Sequence, residues 1–181
     1  MSDLTSKLVL AIDTSGPRLQ LALAGTDADD FLVEDIAKGH AEIMFDRIRN
    51  LLARNKKTYE DLTRLAVTTG PGSFTGLRIG ISAARGLGLA LRVPIVGVPN
   101  LLALSLIVSD GPVDIRLDAR RGELYAQDFS VPGVAESAAA LVPAASALDG
   151  RVLDSGDDLR SGARLVLLDA GRGPSLVGWS S

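Results

Sequence analysis

The 181-residue sequence contains no cysteine and a single histidine, His40. Without cysteine there is no disulfide, no thiolate metal site and no cysteine nucleophile, which fits a cytoplasmic protein. The H-x-x-x-H metal motif needs a second histidine where Met44 stands, so a mononuclear site built from histidines is excluded. We expect no bound metal, and His40, which opens a predicted helix, is interpreted first as structural.

Aromatic residues, net charge and long apolar runs are also scarce. Aromatic residues make up 4% of the chain, so the core must consist of Leu, Val, Ile and Ala. The net charge of -3 exerts no overall pull on phosphate backbones, so contact with nucleic acid must be local or made through a partner. Leu8–Ile12 ends at Asp13 and is too short for a signal peptide, and Leu101–Val108 is well short of the roughly 20 residues of a membrane span.

The apolar periodicity predicts an α/β domain. Alternation of Leu19, Leu21 and Leu23 indicates a strand with one buried face, able to pair as a hairpin with the strand before it. The order β-β-β-α-β-α-β matches the actin-like, ribonuclease H-like (ASKHA) layout, a mixed sheet with helices on its faces. The predicted strands are Leu8–Ile12, Leu19–Leu23, Phe31–Ile36, Leu62–Thr69 and Pro94–Val98, and the helices are His40–Asn55, Leu77–Leu91 and Leu101–Ser109.

The sequence pattern changes past Gly111, and a domain boundary is expected near Ser109–Pro112, which gives a first domain over 1–109 and a second over 110–181. Two strands, Val113–Ala119 and Glu123–Phe129, are predicted with a tight turn at Arg121-Gly122. Shorter strands are expected at Arg151–Asp154 and Leu165–Asp169. The Gly- and Ser-rich tail from Gly171 is expected to be poorly ordered.

The first predicted helix has one outlier. Ile43 falls on its polar outer face, among Glu42, Asp46 and Arg49, and is expected to be exposed. The inner face is formed by Ala41, Met44, Phe45, Ile48, Leu51 and Leu52.

Two segments are candidate phosphate-binding sites. Asp13, Thr14 and Ser15 end the first strand, where the carboxylate could hold a hydrated magnesium ion, although a plain Asx-type turn explains them as well. Gly70, Gly72 and Ser73 precede the second helix, so their amides could meet an anion at its positive end, with Ser73 or Thr75 as N-cap. The segment Thr69–Gly80 is neither a P-loop nor a dinucleotide fingerprint.

The second helix has small residues every four positions, at Gly76, Gly80, Ala84 and Gly88. Each interior glycine costs about 0.8 to 1.0 kcal/mol relative to alanine, so close packing must offset the loss. The partner in that packing is either the underlying sheet or a helix of a second chain.

Together, LAIDTS, His40 at a helix start, GPGSFTGLRIG and DARRGELYA resemble the TsaB (YeaZ) family over Leu8–Phe129. This family works in making the threonylcarbamoyladenosine of tRNA. The resemblance implies a non-catalytic partner of TsaD, a paralogue that holds the metal, with TsaE joining the complex, tRNA contacted through the complex, and a homodimer when TsaD is absent. It implies no cofactor, except a nucleotide at the partner interface. The implied interface residues are His40, Ile43, Arg47, Arg78, Gly80, Ala84 and Gly88.

The second half departs from the family pattern, because the usual returning C-terminal helix and its Pro-x-Tyr-Leu-Arg-like tail are absent, which implies a reduced second domain. A rival interpretation is a small actin-like ATPase or kinase using Asp13, Thr14 and the Gly70–Gly76 loop, but the second domain is short for an adenosine pocket. A metalloprotease would need ligands that one histidine and no cysteine do not supply.

Overall fold

The computed structural model describes residues 7–35, 40–107, 109–146, 152–153, 166–168 and 174–176. They form two compact units. The first contains the chain up to Thr69 together with Ser73–Gly97, and the second contains Gly70–Gly72 and the chain from Val98 onward. The predicted domains 1–109 and 110–181 stay a prediction.

The first unit is built on a five-stranded mixed sheet of order β3-β2-β1-β4-β5. Strands β1 and β2 form the predicted antiparallel hairpin and β3 extends it, whereas β4 lies parallel to β1 after a helical crossover. This agrees with the predicted ribonuclease H-like order. The strands are β1 Leu8–Asp13, β2 Arg18–Gly25, β3 Asp29–Asp35, β4 Arg64–Thr68 and β5 Ile95–Val98, and the helices are α1 His40–Arg54 and α2 Phe74–Leu91.

Both helices of this unit pack on one face of the sheet. Alternate residues of β1, namely Leu8, Leu10 and Ile12, point toward them, as do Leu19, Leu21 and Leu23 of β2. Side chains at alternate positions of the strands therefore pack against side chains three or four positions apart on the helices. The core is aliphatic, as the scarcity of aromatic residues predicts. From the helices it receives Met44, Ile48, Leu51, Leu52, Ala83 and Ala84.

Helix α1 differs from its predicted orientation at two positions. Ile43 is partly buried and packs against the core, so the prediction that it is exposed is wrong. Phe45, assigned to the inner face, is 46% exposed. Met44 and Ile48 occupy the centre of the buried face of α1. Because Phe45 directly follows Met44 along the helix, its side chain points to the edge of that face.

Two bidentate ion pairs fasten α1 to the edge strand β3. Arg47 donates to both carboxylate oxygens of Glu34 at 2.5 and 2.8 Å, and Arg54 does so to Asp30 at 2.6 and 2.8 Å. Asn55 adds a third donor to Asp30. The Arg47 guanidinium holds the pKa of Glu34 below its ordinary value, chiefly by hydrogen bonding.

The Glu34–Arg47 pair gives a pH-dependent prediction. A carboxylate with a lowered folded-state pKa stabilises the fold above its unfolded pKa and loses that contribution as the pH falls through the folded value. We expect Glu34→Gln to be less stable than the wild type at pH 7, with the difference shrinking as the pH falls below about 4 and vanishing once Glu34 is protonated in the folded state. Urea unfolding across pH 3 to 7 measures it, and Arg47→Gln should show the same loss. A difference that persists in acid would contradict the assignment.

Within its described residues, the second unit contains a five-stranded mixed sheet and the short helix α3 (Asn100–Ser105). Strands β6 (Val113–Arg120) and β7 (Glu123–Val131) pair as predicted, through a turn in which Arg120, Arg121 and Gly122 all have positive φ. Strands β8 (Val134–Ala135) and β9 (Ala140–Pro143) pair with β7, and β10 (Val152–Leu153) with β6. The core of this unit contains Leu101, Ile115, Leu117 and Phe129.

The predicted disordered tail lies outside the described residues, except for Pro174–Leu176. This short strand, β12, pairs with β11 (Val166–Leu168). No helix within the described residues is both long and apolar enough to cross a bilayer.

Candidate functional site

The Asp13 carboxylate, where β1 ends and the following turn begins, accepts three hydrogen bonds from its own chain. Oδ1 accepts hydrogen bonds from the Ser15 backbone N–H and the Thr68 hydroxyl, both at 2.8 Å. Oδ2 accepts from the Gln20 side-chain amide at 3.2 Å. The carboxylate therefore organises the junction of β1, β2 and β4, and a magnesium ion would have to compete with these donors.

The same turn is fastened to the start of α2. The Thr14 hydroxyl donates to the Gly76 carbonyl at 2.7 Å, and the Ser73 N–H donates to the Ser15 carbonyl at 2.7 Å. Ser73 is the N-cap of α2, as one of the two predicted alternatives, and its side chain accepts from the Gly76 N–H at 3.2 Å. The Ser73 and Gly76 N–H groups, which an anion at this helix start would need as donors, therefore already donate to oxygen atoms of the chain itself.

The candidate phosphate-binding residues are divided between the units. Asp13, Thr14, Ser15 and Ser73 converge in the first unit, whereas Gly70 and Gly72 belong to the second. There the Gly70 and Pro71 carbonyls accept from the backbone and side-chain amides of Asn100, both at 2.8 Å. Phosphate binding by these residues stays a prediction. The donors and acceptors named above already form hydrogen bonds within the chain.

The small-residue face of α2 is buried against the sheet of its own chain. A Cβ built on Gly76 would lie 1.9 Å from the Thr14 carbonyl oxygen, and one on Gly80 would lie 2.5 Å from the Thr14 hydroxyl. A Cβ on Gly88 would lie 2.5 Å from Ile95, and Ala84 is fully buried. This corrects the assignment of Gly80, Ala84 and Gly88 to a partner interface, because their packing partner is the intrachain sheet.

The opposite face of α2 is exposed and carries large apolar side chains. Phe74 is 67% exposed and Leu89 is 83% exposed. The Arg78 guanidinium stacks over the Phe74 ring at 3.9 Å. Arg78 is among the interface residues predicted from the sequence, whereas Phe74 and Leu89 are not. Their positions opposite the small-residue face could have revealed them, had that face been assigned to the sheet.

The candidate interface residues of α1 have mixed environments. Ile43 packs against the core and Arg47 is paired with Glu34, although both stay partly accessible. The His40 side chain lies outside the described residues, whereas Met44, at the position of a second histidine, is buried in the core. Among the described residues no group of three or more His, Cys, Asp or Glu side chains could hold a metal ion.

Comparisons with known proteins match this chain to one family. A family model described as "TsaD: tRNA N6-adenosine threonylcarbamoyltransferase" matches residues 32–150. A TsaB from Escherichia coli is 31% identical over 125 residues, which are 67% of this chain and 54% of the relative. A TsaB from Bacillus subtilis is 37% identical over 122 residues, covering 65% and 52%. The chain thus spans about half the length of these curated relatives.

Solved structures agree with the sequence matches. YeaZ from Pseudomonas aeruginosa superposes with a TM-score of 0.70 at 27% identity, covering 78% of this chain and 69% of that one. The fold is therefore the predicted α/β actin-like fold. With the family model covering more than half of the chain, this protein belongs to the TsaD-type family and, within it, to the TsaB (YeaZ) proteins.

Proposed function

We propose that this chain is a non-catalytic TsaB-like subunit that binds and activates a TsaD-type transferase during formation of threonylcarbamoyladenosine next to the anticodon of tRNAs. The observation that carries the proposal is the contrast between the two sides of helix α2. Ser73 and Gly76 at its start are hydrogen-bonded to the turn after β1, whereas Phe74 and Leu89 are left in solvent. Relatives named for threonylcarbamoyladenosine biosynthesis support the same role.

Two features support a non-catalytic role. Asp13, the carboxylate that a phosphate-transfer enzyme of this layout would use, accepts three hydrogen bonds from its own chain. Met44 occupies the position of the second metal-ligating histidine and is buried in the core. The rival interpretation, an actin-like ATPase or kinase, would have to use this same Asp13 carboxylate, which these hydrogen bonds already engage.

The partner surface that we propose differs from the first expectation. His40, Ile43 and Arg47 of α1 remain in it with Arg78 of α2, and Phe74 and Leu89 replace the buried small residues. TsaE, tRNA held through the complex and a homodimer in the absence of TsaD are further proposed contacts. The chain would supply no cofactor of its own and would work in the cytoplasm.

Reconstitution tests this function. We expect purified TsaD-type and TsaE-type proteins, given tRNA and the threonylcarbamoyl donor, to modify tRNA only when this chain is added, because the transferase needs the subunit for its active form. Nucleoside analysis of the tRNA by mass spectrometry measures the product. Modification at the same rate without the chain would refute the proposal, and magnesium-dependent ATP hydrolysis by the isolated chain would favour the ATPase alternative.

A further inference from the structure

The turn between β6 and β7 carries two adjacent arginines in the left-handed backbone region. Arg120 has a φ of 65° and Arg121 a φ of 55°, and Gly122 follows with a φ of 77°. Because Arg120 pairs with Glu123, the turn has two central residues, both with positive φ, a geometry that asparagine and glycine ordinarily provide. Long cationic side chains therefore occupy positions that other residues would fill with less backbone strain.

Two other non-glycine residues with positive φ in the described ranges have local explanations. Lys56 follows α1, where its N–H donates to the Ala53 carbonyl at 3.0 Å, and Arg92 is the left-handed C-cap of α2. Left-handed residues are common at helix ends, where a cation also complements the helix dipole. The β6–β7 turn joins two strands, so neither reason applies to Arg120 and Arg121.

Hydrogen bonds fix the backbone on both sides of this turn. The Arg120 N–H donates to Oδ1 of Asp118 at 2.8 Å, and the Gly122 carbonyl accepts from the Ala144 N–H at 2.8 Å. A strained backbone persists where its surroundings determine it in this way, and such positions are concentrated at binding sites. The fixed backbone reduces the entropy that would be lost when the two arginines bind a ligand.

We propose that Arg120 and Arg121 contact phosphate groups of the tRNA backbone. The inference rests on the proposed function and deepens it, because it assigns an RNA contact to particular residues of this chain. Both side chains are exposed. Arg116, in the same strand as Arg120, is paired with Asp128 at 2.9 Å, whereas neither guanidinium of the turn forms an ion pair with any residue that the structure describes.

The composition of the turn favours phosphate over a protein surface. Since the chain has a net charge of -3, it must contact nucleic acid through local cations. No large exposed apolar side chain lies in Asp118–Glu123, although the centre of a protein interface ordinarily contains one. Phosphate contacts need only cations and hydrogen-bond donors, and a guanidinium supplies both. The carboxylates of Asp118 and Glu123 flank the arginines without pairing with either guanidinium.

The test is tRNA binding by the complex of this chain with its TsaD-type transferase, measured by fluorescence anisotropy with an unmodified tRNA transcript at several salt concentrations. We expect Arg120→Gly/Arg121→Asn to bind on the order of tenfold more weakly, with a slope of log affinity against log salt that is shallower by about 2, because two phosphate contacts are lost. Glycine and asparagine suit this turn, so the same variant should unfold at an equal or higher urea concentration. Weaker tRNA binding without loss of stability separates an RNA contact from a structural role.

Lys56→Asn/Arg92→Gly is the matched control, because it removes two cations from left-handed positions elsewhere in the chain. It should bind tRNA like the wild type. Arg120→Lys/Arg121→Lys keeps both charges on the same backbone and should retain most of the affinity, since an ammonium group also binds phosphate. Size-exclusion chromatography establishes that each variant assembles with the transferase.

The outcomes separate the two proposals. Wild-type affinity and salt slope in the folded Arg120→Gly/Arg121→Asn variant would overturn this inference, as would an equal loss in the matched control or no tRNA binding by the wild-type complex. Weakened assembly with the transferase, at unchanged tRNA affinity of the assembled complex, would also overturn it and assign the arginines to an acidic protein surface. Absence of chain-dependent tRNA modification in the reconstitution would instead refute the proposed function.

Discussion

Replacing Gly76 by alanine is expected to lower the free energy of unfolding by about 3 kcal/mol, at the upper end of the usual loss on overpacking. The added Cβ would lie 1.9 Å from the carbonyl oxygen of Thr14, which belongs to the backbone and cannot rotate away. Moving that turn would also disturb the hydrogen bonds from Thr14 to Gly76 and from Ser73 to Ser15. The substitution therefore weakens the junction of β1 with α2. Urea unfolding at pH 7 measures the loss.

Gly86→Ala is the matched control, because it makes the same chemical change in the same helix. Its Cβ would enter open space, so we expect a gain of about 0.8 to 1.0 kcal/mol from helix propensity. Gly88→Ala should fall between the two, since the side chain it meets, Ile95, is partly exposed and can adjust. Equal effects at Gly76 and Gly86 would contradict the intrachain packing described here.

This series also determines which variants can test partner binding. A bulky residue at Gly80 or Ala84 would enter the core beside Thr14 and Val67, so any loss of binding would reflect misfolding. Variants at Arg78 or Arg85 avoid this problem, because both residues are exposed on the other side of α2. Binding and folding can thus be separated on opposite faces of one helix.

The elements of the first unit were predictable because their patterns are local. Alternating leucines in β2 define one buried face, and Ser73 before a helical run defines an N-cap. The orientation of α1 was less accessible, because Ile43 and Phe45 flank Met44 and periodicity alone does not show which flank tilts toward the sheet. The packing of α1 on the sheet and the pairing of Arg47 and Arg54 with β3 are tertiary features, which local periodicity does not contain.

The site was only partly predictable for the same reason. The sequence indicates that Asp13 ends a strand near a glycine-rich loop, but its partner Thr68 is 55 residues away. Small residues every four positions in α2 indicate close packing without showing what packs there. The sheet occupies that face, so the large residues opposite it, Phe74 and Leu89, are the ones left to a partner.

Replacing Asp13 by alanine is expected to lower the free energy of unfolding by about 2 to 3 kcal/mol, because hydrogen bonds to a charged acceptor contribute about 1.5 to 3 kcal/mol. The Ser15 N–H, the Thr68 hydroxyl and the Gln20 amide all lose their acceptor, while access to water recovers part of the loss. Asp13→Asn should lose less, because one side-chain oxygen remains for Ser15 and Thr68. Urea unfolding at pH 7 measures both.

The effect of Mg-ATP on urea unfolding distinguishes a structural Asp13 from a magnesium-binding one. If Asp13 is a structural acceptor, wild type and Asp13→Ala should each unfold at the same urea concentration with or without Mg-ATP, because nothing that binds the folded state is lost. A magnesium-binding Asp13 would instead give a wild type that Mg-ATP stabilises and a variant that it does not. Asp46→Ala, which removes an exposed carboxylate paired with Arg49 on α1, is the control and should change stability by less than about 1 kcal/mol. The two roles of Asp13 thus predict opposite ligand responses from the same pair of proteins.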